Sequence, residues 1–595
     1  MASNLEVSAA PTGDTKKSAL PMDDQRPHSI EYVENPDLEP TPKVAISTIL
    51  AVFASLYTQL CSKMFMGLTY VPAIATGFIM PTQILQQIGM ALGDTENIAW
   101  IPGSWSIGSA VAFSIAGGLS DVFGRRYVLL SGQTIILVGG TTLHIVAGTT
   151  LVGFGAGTIM VAYPGIAELL PNKYRGIGLA WTEFCITIPW GSLAGLIATH
   201  LYLKASWRWC YYVTIIYAAI CLIGTFICYF PPSRPQHDFE RTRWQQVKEL
   251  DYIGLLLFAT GITVFLIGVT FLGATHRSMT LVATTISIGA CIFIAAFVYD
   301  FTIPKKPLFP IKIFRMYREF TVYLVVLFVS GMIWQGIVTL GNQGTLFMFT
   351  NDIIEIGIIS VPASMSGIIG GWIMPSLVHK LKHIRYQFVF ALVLQTVFTA
   401  SYAAVVPNNK TGWTILPMFG QSCFTWVTVL SYVSSGLLVP QEDLGVSAGL
   451  MGTFRSAGGS LGNAMFSTIL TSIVNRDLGN NIAGAAIGAG YSPKDLPTLI
   501  PAVIQNAVGV PMAMAKVPNV TEPVFQATAA AFKNTYAKAF RTVFYSTIPL
   551  GVLAIIAACF IRDPSHLLNN HVAVQQEKEV FGKKKDIEME PKIID

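Results

Sequence analysis

Apolar runs of about twenty residues recur along almost the whole chain, separated by short polar stretches. The hydrocarbon core of a bilayer is about 30 Å thick, and a helix of about 20 apolar residues crosses it. Because no water is present there to pair with backbone N–H and C=O groups, such runs can only form helices. Only 12% of the 595 residues are charged, about half the share that a soluble protein carries. The sequence therefore predicts an all-α integral membrane protein.

The apolar runs divide into fourteen predicted spans. They lie near 44–74, 98–119, 127–146, 149–169, 178–200, 207–230, 252–272, 280–300, 319–341, 355–377, 386–406, 413–437, 445–473 and 542–562. The run 44–79 contains one charge, Lys63, and is too long for one straight helix, so we expect an apolar outer segment after the first span. The region 127–170 must hold two spans, which requires a connection of about four residues.

The distribution of basic residues predicts the orientation of the spans. With both termini inside, the inner loops contain Arg125, Arg126, Lys173, Arg175, Arg234, Arg241, Arg243, Lys248, Lys305, Lys306, Lys312, Arg315, Arg318, Lys380, Lys382 and Arg385. The short outer loops contain Lys204, Arg208, Arg277 and Lys410. An excess of lysine and arginine is expected on the cytoplasmic side, and this arrangement provides it.

The polar segments add further expectations. The acidic segment 1–43 and the segment 563–595 are expected to be disordered cytoplasmic tails. The sequons at Asn409 and Asn519 fall in predicted outer loops, the second within a long outer loop at 474–541, and predict a glycoprotein. A net charge of +5 is too small for nucleic-acid binding. The eight cysteines form no C-x-x-C pair, so neither a metal site nor a cofactor is expected.

The short inner loop after the second predicted span carries the most specific motif. It reads Gly117-Gly118-Leu119-Ser120-Asp121-Val122-Phe123-Gly124-Arg125-Arg126. Gly117 and Gly124 permit close backbone approach and a tight turn. Asp121 can pair with either arginine or cap the next helix. Such a cluster can hold two helix ends together in one conformation and release them in another.

This string resembles the G-x-L-a-D-r-x-G-r-k signature of the major facilitator superfamily. The resemblance implies that Gly117, Asp121, Gly124, Arg125 and Arg126 form a motif that gates the inward opening. Fourteen spans are typical of the drug:proton antiporter branch, in which two helices are inserted between two six-helix bundles.

Further strings resemble fungal trichothecene efflux pump-like transporters. They are Glu96-Asn97-Ile98-Ala99-Trp100-Ile101-Pro102, Glu168-Leu169-Leu170-Pro171-Asn172-Lys173-Tyr174-Arg175-Gly176 and Trp207-Arg208-Trp209. The resemblance implies an N-terminal bundle at 44–230, a loop and two linker helices at 231–318, and a C-terminal bundle at 319–562.

Ionisable side chains inside predicted spans are candidates for the transport pathway, because each costs about 2.5–3.5 kcal/mol to insert. Arg455 lies near the middle of the thirteenth span and Glu183 lies in the fifth. A partly buried carboxylate suits proton transfer, since its pKa changes with its access to water. Trp334, Gln335 and Gln421 could line a central cavity and bind an amphipathic solute through ring faces and hydrogen bonds.

We therefore expect a secondary active transporter, not an enzyme, that exports a small organic molecule by proton antiport and alternating access. Siderophore-iron uptake is an alternative, because such carriers also have fourteen spans. A membrane receptor or scaffold without transport is another, supported only by the short hairpin of spans 3 and 4. Expected partners are a small-molecule substrate, protons and membrane lipid. We expect a monomer in the plasma membrane, with the vacuolar membrane as the alternative.

Overall fold

The structure is a computed structural model that describes most of the chain between Met64 and Leu568. The described residues are 64–93, 100–142, 144–160, 162–168, 170–230, 251–272, 278–304, 309–440, 443–507, 514, 517–518 and 520–568. The predicted tails 1–43 and most of 563–595 lie outside them, as does the sequon residue Asn519. The backbone of Asp121 is described, but its side chain is not.

Long helices account for most of these residues. In chain order they are α1 Met64–Gln83, α2 Trp100–Phe123, α3 Arg125–Thr141, α4 Ile145–Ile159, α5 Asn172–Lys204, α6 Trp209–Cys228, α7 Tyr252–Leu272, α8 Met279–Thr302, α9 Tyr317–Met348, α10 Ile353–Ser376, α11 Ile384–Val405, α12 Lys410–Leu438, α13 Leu444–Gly488 and α14 Glu522–Cys559. Shorter helices include Leu85–Leu92, Ala162–Glu168 and Leu496–Ala507.

Within the described ranges, ten helical stretches are long and apolar enough to cross a membrane. Three of the longer helices outside that set are α2, α12 and α13, which are rich in glycine and serine. Small residues lower the hydropathy of a helix but let it pack closely against its neighbours. The helix order is consistent with the fourteen predicted spans.

Three of the helices contain an irregular stretch away from their ends. α1 contains the π-helical stretch Val71–Ile79, and α10 contains Ile368–Ile373. α5 contains Thr187–Gly191, where Ile188 has the non-helical angles φ −112° and ψ 127°. Irregular turns of this kind free backbone groups and are frequent at functional sites. The interruptions of α5 and α10 face each other, because Gly367 packs directly against Thr187.

Helices α7 and α8 form a hairpin with an outward-facing apolar surface. Exposed residues on α8 include Ile288, Ile294 and Val298, as expected for a helix that faces lipid. The outer end of α7 packs on α2, where the rings of Trp100 and Phe271 lie 5.4 Å apart.

The segment 474–541, predicted as a long outer loop, is instead largely helical where it is described. α13 continues without a break to Gly488, and α14 already begins at Glu522. The helix Leu496–Ala507 lies between them in the chain and packs on both through apolar side chains that include Leu499 and Val503. Hydropathy located the membrane part of α13 and α14 but not their polar extensions.

Candidate functional site

The first six helices meet the last six most closely where α2 passes α13. A Cβ at Gly117 would overlap the backbone of Gly445, and a Cβ at Gly449 would overlap the carbonyl of Phe113. The hydroxyl of Thr453 donates to the carbonyl oxygen of Ala110 at 3.1 Å, further along the same contact. The two backbones therefore touch on the predicted cytoplasmic half of both helices.

The motif of the loop between α2 and α3 links the ends of three helices at this side. Gly124 connects α2 to α3 with φ +88°, a conformation that favours glycine. The buried Arg125 donates to the hydroxyl of Ser120. Arg126 donates to the carbonyl oxygen of Phe226 at 2.9 Å and lies 4.0 Å from the ring centre of Phe230. The motif thus joins α2, α3 and the end of α6.

A second inner contact joins α5 to α10 and α12. The guanidinium of Arg175 donates to the carbonyl oxygen of Gly436, and Gly176 packs against the backbone of Pro375. Sequence reasoning treated Arg175 only as one of the basic residues of an inner loop. Arg175 also lies in the string from Glu168 to Gly176 that resembles efflux pumps. That resemblance was the sequence signal that could have marked it as a site residue.

Glu183 lies at the centre of an aromatic cluster. Its carboxylate accepts a hydrogen bond of 2.6 Å from the hydroxyl of Tyr163, and only 8% of its surface is exposed. The ring of Tyr163 stacks on Tyr432 at 4.7 Å and meets the edge of Tyr70 at 4.9 Å. The cluster therefore joins α1, α5, α12 and the helix that follows α4.

Two further features make this cluster a candidate site. The hydroxyl of Tyr432 is buried without a hydrogen-bond partner among the described residues, so it is available to a water molecule or a solute. Arg455 of α13 lies within electrostatic reach of Glu183. No carboxylate in the described part of the chain forms an ion pair with Arg455. The structure thus brings Glu183 and Arg455 to one region, which their separation in sequence does not reveal.

The three remaining candidates occupy different places. The ring of Trp334 stacks on Phe424 at 4.6 Å with an interplanar angle of 11°, between α9 and α12. Gln335 packs against Gly459 of α13. Gln421 lines a cavity of about 80 Å³. Of the three, Gln421 alone is among the described residues that line this cavity.

The cavity lies between α1 and the last six helices. The polar side chains in its described lining are uncharged and include Gln83, Asn342, Thr345, Ser360, Ser364 and Gln421. Its apolar lining includes Trp413, Phe540 and Phe544. Such a lining can hold an apolar body and orient it by a few hydrogen bonds.

The predicted outer side is closed near this cavity. The amide of Asn342 donates to the side-chain oxygen of Gln83 at 3.1 Å, which joins α9 to α1. Gly195 of α5 packs against Ser360 and Gly357 of α10. The first and last six helices are therefore in contact on both sides of Glu183.

The predicted sequon residue Asn409 is exposed at the start of α12, where its side chain accepts a hydrogen bond of 2.9 Å from the backbone N–H of Gly412. Its glycosylation stays a prediction. Across the described ranges, no group of three His, Cys, Asp or Glu side chains could hold a metal ion.

Comparisons with known proteins give the family. The family described as "Fungal trichothecene efflux pump (TRI12)" matches residues 33–591. The trichothecene efflux pump TRI12 of Fusarium sporotrichioides is 26% identical over 518 residues, which cover 84% of this chain and 86% of that protein. The MFS-type transporter prx5 of Penicillium rubens is 26% identical over 424 residues, which cover 70% of this chain and 76% of that protein.

Among solved structures, the human organic anion transporter MFSD10 (TETRAN) aligns with a TM-score of 0.47 and 12% identity, over 83% of this chain and 99% of that one. Because the family match extends over most of the sequence, this chain belongs to the fungal trichothecene efflux pump family of major facilitator transporters.

Proposed function

We propose that this chain exports a small organic molecule, a fungal secondary metabolite or toxicant, in exchange for protons. Its family consists of membrane transporters, so the chain carries out transport and not catalysis. A relative in Fusarium sporotrichioides is named for trichothecene efflux. Contacts between the first and last six helices on both sides of Glu183 support alternating access, in which one set opens while the other stays closed.

Glu183 is the proposed proton carrier. The observation that carries this proposal is the buried hydrogen bond of 2.6 Å from Tyr163, with Arg455 within electrostatic reach. An ionised Glu183 is attracted to Arg455, and a protonated Glu183 is not. Protonation from one side of the membrane therefore changes the attraction between α5 and α13, which belong to different halves of the molecule.

The uncharged cavity beside Gln83 and Gln421 is the proposed cargo site. Its ring faces and amide groups suit an amphipathic organic molecule. We assign Trp334 and Gln335, which pack against α12 and α13, to the same pathway. They would reach the cargo when those helices move.

The loop between α2 and α3 is the proposed inner gate. Opening the inner side requires α2 to leave α13, and in the motif Gly117, Asp121, Gly124, Arg125 and Arg126 the first residue packs directly against α13. We propose that Arg125 and Arg126 fix the inner end of α2 to α3 and α6 through Ser120 and Phe226, and so position Gly117 against α13.

We further propose that the transporter works as a monomer in the plasma membrane. Its lipid-facing apolar surface and its basic inner loops suit this location. A fluorescent fusion that marks the vacuolar membrane instead would contradict it.

Transport assays test the proposed function directly. The chain is expressed in a yeast strain without its own drug pumps and challenged with fungal toxins, including a trichothecene. We expect resistance to at least one compound, and a pH gradient should accelerate uptake of that compound into inside-out vesicles. Resistance to none of them, with improved growth on an iron-loaded siderophore, would favour the uptake alternative.

Substitutions then test the site residues. Glu183→Gln should remove the acceleration by the pH gradient, because a neutral amide cannot carry a proton. Arg455→Ala and Asp121→Asn should each lower flux at least about tenfold, which corresponds to about 1.4 kcal/mol, while membrane insertion is unchanged. Glu522→Gln is the matched control, since Glu522 is exposed at the outer start of α14. Gradient-driven transport by Glu183→Gln at the rate of the control would exclude Glu183 as the carrier.

A further inference from the structure

The long helices α13 and α14 extend beyond the membrane on the predicted outer side. α14 has 38 residues, which at 1.5 Å per residue is about 57 Å, whereas the hydrocarbon core is about 30 Å thick. The extensions, together with the helix Leu496–Ala507, enclose an apolar core that includes Leu478, Ile482 and Phe532. We call the described residues 477–507 and 520–538 the outer lobe.

A cavity of about 340 Å³ lies between the outer lobe and the outer end of α9. This volume falls within the range of about 300–1,000 Å³ that is typical of small-molecule sites. Four rings line it, those of Phe347, Phe349, Phe525 and Phe532. The cavity shares none of its described lining residues with the central cavity beside Gln421.

Lys533 is the one charged side chain among the described lining residues. Its ammonium group lies 5.8 Å from the ring centre of Phe349, so the charge is held beside the rings. Asn506 adds an amide to the lining. Asp352 is not among the described lining residues; its carboxylate caps the start of α10, where it accepts a hydrogen bond of 3.0 Å from the backbone N–H of Ile354. An anionic group on a ligand would therefore meet a cation without an opposing carboxylate in the described part of the lining.

We propose that this outer cavity binds a small amphipathic anion, with a flat apolar body and one carboxylate or sulfonate group. The rings pack against the apolar body of the ligand, and the ammonium group of Lys533 binds its acidic group. This site is additional to the proposed cargo site, whose described polar lining is uncharged. The two are neighbours, because the ring of Phe349 lies 5.6 Å from that of Trp413, which lines the central cavity.

The test uses the full chain in lipid nanodiscs and two probes of matched shape, 2-naphthoate and 2-naphthamide. Ligand-observed NMR with empty nanodiscs subtracted gives the two dissociation constants. We expect the carboxylate to bind about tenfold more tightly than the amide, as a charge-assisted contact provides. Equal affinity of the two probes, or no saturable binding of 2-naphthoate up to millimolar concentration, would overturn the proposal.

Three variants locate the binding. Lys533→Met should remove the preference for the carboxylate, and Ala529→Trp should remove binding of both probes because the indole occupies the space beside the rings. Ala529 is exposed, so this change does not disturb the core of the lobe. Lys494→Met is the matched control, since Lys494 is an exposed cation of the outer lobe away from the cavity. Unchanged binding in both cavity variants would place the probe elsewhere and overturn the proposal.

Discussion

Gly117 lets α2 and α13 touch because it has no side chain. The backbone of α2 touches that of α13 at Gly445, and no larger residue fits without moving one helix. The same glycine belongs to the loop motif that resembles the gate of major facilitator proteins. Its place in the motif therefore has a direct physical reason in the contact between the two halves.

Gly117→Ala should lower transport strongly. The added methyl group overlaps the backbone of Gly445, and overpacking of this kind costs typically about 1–3 kcal/mol. The cost falls on the closed inner side, so we expect slower export and a lower melting temperature. Efflux rate and thermal unfolding of the purified protein measure the two effects.

Gly484→Ala is the control for this substitution. Gly484 lies on the outer part of α13, and a Cβ there would meet nothing within 4 Å. Alanine favours helix over glycine by about 1 kcal/mol, so this variant should be as stable as the parent or more so, with unchanged export. Equal behaviour of the two variants would show that the α2–α13 contact does not need Gly117.

The sequence identified some site residues and not others. Glu183 and Arg455 stood out because a charge inside an apolar run is costly and rare. Tyr163 and Tyr432 did not, because tyrosine is common in membrane spans and its partner depends on how the helices pack. Arg175 was not singled out, because an inner loop is expected to contain several basic residues and Arg175 is one of them.

At the scale of helices, the hydrocarbon thickness made the spans predictable. The predicted seventh span, 252–272, has the bounds of α7 in the structure. The extensions of α13 and α14 were missed, because hydropathy falls where a helix leaves lipid although the helix itself continues. Composition alone did not distinguish a polar helix from a polar loop there.

Asp477 stabilises the base of the outer lobe. Its carboxylate accepts hydrogen bonds of 2.7 Å from Arg476 and 2.8 Å from Lys538, and the second joins α13 to α14. These bonds hold the pKa of the Asp477 carboxyl well below its ordinary value of 3.8. Their contribution is therefore complete above about pH 3.8 and is lost only as the pH falls through the lower folded pKa.

Asp477→Asn should loosen the outer lobe at neutral pH, because the amide retains neither ionic contact. Hydrogen exchange of 478–488 and 522–537 should become faster. In the parent protein, the protection of these amides, which is the hydrogen-exchange rate corrected for the intrinsic rate at each pH, should stay constant from pH 7 to pH 5. Asp495→Asn removes a half-buried carboxylate of the same lobe that bonds to neither Arg476 nor Lys538, and it should leave the exchange of these two segments unchanged. Loss of protection in the parent already at pH 5 would contradict this role of Asp477.

At the scale of the whole molecule, the first and last six helices are held together at two levels. The inner level includes Gly117 against Gly445 and Arg175 donating to Gly436. The outer level includes the hydrogen bond from Asn342 to Gln83. Export by alternating access requires these levels to open in turn, so a link across the outer level should stop transport.

Cysteines at Gln83 and Asn342, joined by a short reducible bis-thiosulfonate reagent, provide such a link between α1 and α9. We expect the reagent to abolish export and a reductant to restore it, because the outer side cannot open while the link is intact. Cysteines at Gln133 and Thr225, whose side chains are hydrogen-bonded at 2.9 Å between α3 and α6, provide the matched control within the first six helices. That link should leave export unchanged, since both helices belong to one moving half. Continued export with the outer link intact would mean that the two halves do not separate there. Blocked export with the control link would mean that the first six helices do not move as one body.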